Sequence, residues 1–384
     1  MSGRLGPPAA QVNASPAATA AGTDEPSRPN LLGLPRERLA KILSPVVDRP
    51  FRVDQIYRAL HERRVETFDE MTDLSKALRG ELATRFRLDR PDVAQRHLSA
   101  DGTEKILFRL HDGATIEAVD IPDGERRTLC VSSQAGCALA CRFCVTGFWG
   151  AGRNLGADEI VAQVDWVVRK AAAARDPQED ARGLNLVFMG MGEPLLNLEN
   201  VRDALEILMG QISWRRITLS TAGVIPGIED LAGWPRRPRL AISLHAPDEA
   251  RRDELMPINK RWPLRELMPV LKRFPLTPKE RITFEYILID GFNDAPADAD
   301  LLARLLRGVR AKVNLIPLNP DPVLGPDMRR SSTQAVAAFR DRLRSLGVLT
   351  TVRKQRGDDV SAACGQLRAP SRDPRGFRRS NFRV

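Results

Sequence analysis

TLCVSSQAGCALACRFC, residues 128–144, joins an apolar run to a loop that carries three cysteines, and its reading decides the fold. Residues 128–133 have the length and apolar content of a short β-strand. The loop that follows sets Cys137, Cys141 and Cys144 at CxxxCxxC spacing. Soft thiolates suit iron, and three of them in one tight loop can hold three irons of a cubane cluster, leaving the fourth iron open. An open coordination position distinguishes a metal centre that does chemistry from one that only carries electrons or braces a fold. Two alternatives stand beside this one. A zinc knuckle would need a fourth Cys or His, and His111 and His245 are both distant in sequence. An iron–sulfur electron carrier would normally have all four cluster corners ligated by protein.

Downstream of the loop, short apolar runs at 184–189, 216–220, 240–244, 282–289 and 312–316 read as strands. Amphipathic stretches at 157–174, 198–209, 264–274 and 296–308 read as the helices between them. The alternation predicts an α/β fold with a parallel sheet built from βα units, either an open barrel or a doubly wound sheet. In both forms functional residues gather beyond the carboxyl ends of the strands. Upstream, Ile106, Phe108 and Leu110 alternate towards a His111-Asp112-Gly113 turn, which predicts a β-hairpin over 105–119. Before it, segments opening at Pro35, at 53–63 and at 73–86 have helical periodicity and predict a small helical unit.

Residues 1–30 hold 18 Ala, Pro, Gly or Ser and no aromatic, so they are expected to form a disordered extension that cannot bury enough surface to fold. No run approaches the roughly 20 apolar residues of a membrane span, and no signal peptide is apparent, so a cytoplasmic protein with no membrane partner is expected. Five cysteines without an export signal argue against a disulfide framework. The net charge of +10 suits a polyanion, because neutralising phosphates releases counterions. Half of that charge lies in residues 368–384, where six arginines face one acid, Asp373.

Polar residues recur at the predicted strand ends: Gly192 and Glu193 within GMGEP, then Ser220, then Ser243-Leu244-His245, then Asn319. With the cysteine loop, the series CVSSQAGCALACRFC, MGMGEPLLN, TLSTAG, ISLHAP, NLIPLNP and VRKQRGDDVSAACGQL resembles the RlmN/Cfr family of radical S-adenosylmethionine (SAM) RNA methyltransferases. The resemblance implies a partial (β/α)6 radical SAM barrel over 128–355, with a helical accessory RNA-binding domain at 31–92 and a hairpin extension at 93–127. It also implies a methyl-carrier cysteine loop at 356–367 and a basic tail at 368–384. Cys137, Cys141 and Cys144 would hold a [4Fe-4S] cluster. Gly192, Glu193, Ser220, Ser243, Leu244, His245 and Asn319 would contact SAM. The implied substrates are 23S rRNA, at the peptidyl-transferase-centre adenosine, and tRNA, at the adenosine 3′ of the anticodon. Methylation at adenine C2 is implied, with C8 of the same rRNA base, as in Cfr, the alternative. A monomer fed by an electron donor such as flavodoxin or ferredoxin is expected. The chain departs from the family's usual pattern at Val145-Thr146-Gly147-Phe148-Trp149-Gly150 and at Leu318.

Two further cysteines take their roles from the resemblance, although Cys364 also stands in Ser361-Ala-Ala-Cys364-Gly365, whose small residues permit close approach of a second reactant. Adenine C2 is electron-poor and lacks a nucleophilic lone pair, so it cannot take a methyl group by simple displacement. In the family's mechanism Cys364 first accepts a methyl group from one SAM, and a second SAM supplies the radical that activates it. Cys130 then resolves the protein–RNA adduct through a transient disulfide, and Glu117 accepts the ring proton. On their own, Cys130 would read as a small buried hydrophobe and Glu117 as a solvated hairpin residue. The rival outside enzymology is a zinc-containing RNA-binding protein.

Overall fold

The computed structural model describes residues 28–173 and 183–368. Most of the expected extension and tail, residues 1–27 and 369–384, lies outside the described residues, as does residue 174 of the first core helix. The expected extension does not reach Asn30. That residue bridges to Arg87, caps the turn at Leu31–Gly33 by accepting from the Leu32 amide, and donates to Asp158 at 2.9 Å.

Three helices open the chain: α1 (Arg36–Leu43), α2 (Pro50–His61) and α3 (Lys76–Arg85). Pro50 at the first position of α2 and the Ser75 hydroxyl capping α3 are ordinary helix starts. Their apolar faces close a core of their own around Leu39, Ile56, Leu60, Met71 and Leu82. The strands β1 (Asp92–Leu98), β2 (Glu104–Arg109), β3 (Thr115–Asp123) and β4 (Arg126–Cys130) follow as an antiparallel meander, so the expected hairpin is the middle of a four-stranded unit.

From β4 onward the pairing turns parallel. After α4 (Val145–Phe148) and α5 (Ala157–Ala173) come β5 (Leu184–Phe188), α6 (Leu198–Leu208), β6 (Ile217–Thr221), α7 (Ile225–Ala232) and β7 (Arg239–Ser243). Next are α8 (Glu249–Leu255), α9 (Leu264–Arg273), β8 (Ile282–Leu288), α10 (Pro296–Leu305), β9 (Ala311–Pro317), α11 (Thr333–Ser345) and β10 (Thr350–Val352). All ten strands form one sheet in sequence order, with seven parallel strands from β4 to β10 where six were expected. Alternation sorts their side chains. Leu186, Leu219, Ile242, Phe284 and Leu315 face the helices in the main core. The intervening positions form a polar row on the opposite face, where Ser243 lies beside Glu285, Glu285 beside Asn314, and Asn314 beside Thr351.

Seven flat parallel strands would put β4 roughly 29 Å from β10 at about 4.8 Å per strand. Instead Thr128 of β4 and Arg353, just past β10, line one cavity, and Cys130 lies within electrostatic reach of Arg353. The sheet therefore curls into a partial barrel with the polar row inside. Among the described residues β10 forms no ladder with β4. Residues 356–368 cross that gap: the Gly357 amide donates to Asp101 (3.1 Å), the Ala100 amide to Asp359 (3.1 Å) and the Arg368 amide to Glu117 (2.8 Å). The helical unit docks on α5, where buried Asp165 receives Arg90 at 2.7 Å and Arg64 at 3.1 Å. No helix among the described residues is long and apolar enough to cross a membrane.

Candidate active site

The cysteine loop is wound by backbone contacts that only glycine permits. A Cβ on Gly152 would stand 1.4 Å from the Ala135 carbonyl oxygen, and one on Gly136 would stand 2.6 Å from that of Gly150. The Cys137 amide bonds the Gly150 carbonyl at 3.0 Å and the Ala135 amide that of Arg153 at 2.9 Å. Cys137, Cys141 and Cys144, all free thiols, pack against an apolar collar that includes Leu139, Phe143, Met256, Ile287 and Leu318. Burial first, then mutual repulsion, pushes Cys137 up to about 12 and Cys141 well above the ordinary thiol range; burial likewise raises Cys144.

The strand ends surround this loop. Gly192 has φ +97° and its Cβ position falls 2.5 Å from the Gln134 side chain, so the GMGEP turn sits directly on the cysteine loop. Buried Glu193 accepts from the Ala222 amide (2.7 Å) and the Leu195 amide (3.0 Å), and burial raises its carboxyl to about 7 despite those bonds. Ser220 and Ser243 hydroxyls are 3.5 Å apart on neighbouring strands. His245, at φ +58°, accepts from the Ile287 amide through Nδ1 (3.1 Å), and its ring lies edge-on to Phe143 with centroids 4.5 Å apart. Burial, reinforced by Arg252, lowers it to about 3, so it is neutral with its proton on Nε2. Leu244 is buried, and its carbonyl accepts from Arg252 Nε at 3.2 Å.

A second group of residues meets at the barrel gap. The Asn319 amide donates to the Cys364 carbonyl (3.2 Å), and Gly365 sits against the cysteine loop, its carbonyl accepting from the Val145 amide (2.6 Å). Cys364 lines an open cavity with Thr128, Asn319, Arg330, Arg353, Lys354 and Arg356. Buried Cys130, at the end of β4, is pushed up to about 12 by burial and by Cys364, against the pull of Arg353. Glu117 on β3 is buried rather than solvated, correcting the expectation from its residue type alone. It pairs with Lys105 at 3.2 Å, and burial raises its carboxyl. Cys130 and Glu117, on neighbouring strands, and Cys364, more than 200 residues on, thus share one end of the barrel.

Residues 29–88 match the ribosomal RNA large subunit methyltransferase N-terminal domain, and residues 131–303 match the radical SAM superfamily. A dual-specificity RNA methyltransferase RlmN of Anaeromyxobacter dehalogenans is 46% identical over 345 residues, spanning 89% of this chain and 92% of the relative. The RlmN of Syntrophobacter fumaroxidans is 48% identical over 324 residues, spanning 83% and 92%. The chain belongs to the RlmN family. A crystal structure of a radical SAM methyltransferase from Sphaerobacter thermophilus superposes with a TM-score of 0.81 at 43% identity, covering 88% of this chain and 99% of that one.

Radical SAM membership implies a [4Fe-4S] cluster and SAM, and the donor set fits the cluster. Three thiols crowded in an apolar collar hold their protons unless a group bringing positive charge replaces them. Among the described residues, no three His, Cys, Asp or Glu side chains converge to hold a single ion. A cubane takes one sulfur at each of three separate corners. The RlmN-type site also contains charges with no local sequence signal. Arg252, completely buried, donates to the carbonyls of Ala222 (2.6 Å), Ser243 (3.2 Å) and Leu244 and to Asn259 (2.6 Å), and its charge reaches Cys141. Arg353 is held between Cys364, Glu285 and Cys130. Arg252 stands in Arg251-Arg252 and Arg353 in Arg353-Lys354-Gln355-Arg356, both polar stretches of the sequence, and only tertiary contacts distinguish them from their neighbours.

Proposed function

We propose that this chain methylates C2 of adenine in 23S rRNA, at the peptidyl-transferase-centre adenosine, and in tRNA, at the adenosine 3′ of the anticodon, using Cys364 as methyl carrier. The observation that carries the reading is the meeting of Cys364 and Cys130 beside Arg353, with Gly365 locked onto the cysteine loop. A cluster–SAM site alone would not need a second pair of thiols at its edge.

The bound cluster and SAM supply the methyl group and the one-electron chemistry that an electron-poor ring carbon requires. Cys137, Cys141 and Cys144 hold the cluster, and Glu193, Ser220, Ser243, His245 and Asn319 with the Gly192 and Leu244 backbone bind SAM. Cys364 presents its sulfur in the cavity, where Arg330, Arg353, Lys354 and Arg356 attract the RNA backbone. Glu117, raised by burial, accepts the proton from the substituted ring carbon. Cys130, as its thiolate, then attacks the Cys364 sulfur: a sulfur–sulfur bond forms, the sulfur–carbon bond breaks, and its electron pair leaves with the carbon, which takes up a proton to become the methyl group. Exchange with an external dithiol, which is itself oxidised to a disulfide, restores both thiols. We infer a monomer in the cytoplasm, reduced by a flavodoxin or ferredoxin.

Anaerobic incubation of reconstituted protein with methyl-labelled SAM, a reductant and each RNA, followed by nucleoside mass spectrometry, tests the reading. Labelled 2-methyladenosine is expected, and Cys364→Ala should keep its iron and lose the product. Label confined to 8-methyladenosine would transfer the chain to the Cfr-type reaction. One bound zinc and no iron after anaerobic purification would make it a binding protein.

A further inference from the structure

The opposite end of the barrel holds another open cavity, at the amino-terminal starts of β7, β8 and β9. Arg237, Arg239, Lys279, Arg281 and Lys312 line it against one acid, Glu280. That acid is already satisfied: it accepts from the Thr277 amide at 2.8 Å and faces Arg237 at 3.7 Å. The carbonyls after α9, which would repel an anion, are also covered, Pro275 by Arg237 and Leu276 by Arg310. Among the described residues, the side chains of Arg239, Lys279, Arg281 and Lys312 make no hydrogen bond or ion pair, although Arg239 lies within electrostatic reach of Glu280. Lys312 lies within electrostatic reach of Glu285, deeper in the barrel.

Four cations without a direct side-chain partner around one cavity give it a positive potential that attracts an anion. The wall chemistry narrows the class. No glycine lines the cavity, so the close backbone approach that cradles the terminal phosphate of a nucleotide is missing among its walls. The cations are long side chains spread across three strand starts. On the rim Leu349, 52% exposed, offers an apolar surface on which a ribose or base can rest. Cations distributed over three strand starts suit a polyanion such as a polynucleotide backbone better than a single phosphate group. The seven residues of β8 put this mouth roughly 20 Å from the thiol end, at about 3.3 Å per residue.

We propose that the amino-terminal mouth of the barrel is a second RNA-contact site, which grips the phosphodiester backbone of the substrate remote from the modified base. The inference rests on the substrate being RNA. It adds a site that the catalytic end does not require.

The test uses the full holoenzyme and a tRNA transcript, titrated across a salt series. Arg239, Lys279 and Arg281 are exposed, so Arg239→Gln/Lys279→Gln/Arg281→Gln should fold, while Arg237 keeps its structural contacts. Loss of three phosphate contacts should make the slope of log K against log salt shallower by about 2 to 3. Affinity near physiological salt should fall about tenfold or more, and the RNA KM should rise with it. A photo-cross-linking amino acid in place of Lys279 should capture the transcript, which keeps the test open should the triple variant misfold. Unchanged affinity and slope, with no cross-link, would overturn the site while leaving the RNA substrate standing. Failure of the unaltered protein to bind RNA would instead overturn the proposed function and this inference with it. Calorimetric binding of AMP that vanishes in the triple variant, with RNA affinity unmoved, would make the cavity a mononucleotide site and also overturn the proposal.

Discussion

Glu193 lies buried between two backbone amides, and its raised carboxyl has a measurable consequence. A folded value of about 7 against 4.5 for the free group means that the native state takes up a proton that the unfolded chain does not. Its contribution to stability is therefore complete below about pH 4.5 and is lost as pH rises through 7. The full span is worth about 3 kcal/mol at about 1.4 kcal/mol per unit. Urea unfolding of the cofactor-free protein at pH 5 and pH 8 should show that loss, and Glu193→Gln should remove about 3 kcal/mol of it. Identical pH dependence in both proteins would show that Glu193 is not held this way. Glu193 was legible in the sequence because GMGEP ends a strand beside a cysteine loop. Glu117 was not legible from its residue type, since its burial comes from Lys105 twelve residues away in the meander and Arg368 at the far end of the chain.

At the scale of elements, the cysteine loop and the segment at 150–154 are cross-braced so closely that Gly152 has no room for a side chain. Gly152→Ala should push Ala135 away and open the loop. A loss of about 3 kcal/mol, the upper end for forced overpacking, is expected together with a reduced iron-to-protein ratio after reconstitution. Thermal melting and iron analysis check both; full iron loading at unchanged melting temperature would contradict the bracing. The CxxxCxxC spacing is local and was readable, whereas the brace joins residues 17 apart and was not. The same distinction separates the elements that periodicity found from those it missed. β1 is largely exposed and carries no apolar alternation, and α8 buries only Arg252 and Leu255 in seven residues. α7 begins with Pro226 and Gly227, residues that read as a turn.

For the molecule as a whole, the sequence pattern alone left an open barrel and a doubly wound sheet equally available, because both are alternating βα units. The curl that brings β4 near the end of β10 depends on the polar inner row and on residues 356–368 spanning the gap, relations between distant segments that no window of sequence contains. The helical unit is joined to the barrel through Asp165, which answers both Arg64 and Arg90 in a buried setting. Asp165→Ala would leave two half-buried cations facing each other without their shared carboxylate, a loss of up to about 3 kcal/mol, the lower end for breaking a buried pair. Hydrogen exchange across residues 31–88 should accelerate while the barrel strands keep their protection; unchanged exchange would mean that apolar packing alone seats the unit.

The account turns on Cys364 carrying carbon to the base and Cys130 releasing it. Cys130→Ala, incubated anaerobically with SAM, reductant and RNA, tests this most directly on a denaturing gel. It should accumulate a covalent protein–RNA species whose RNA maps to Cys364, with little free methylated RNA. Free methylated RNA at the unaltered protein's yield, with no adduct, would contradict the account.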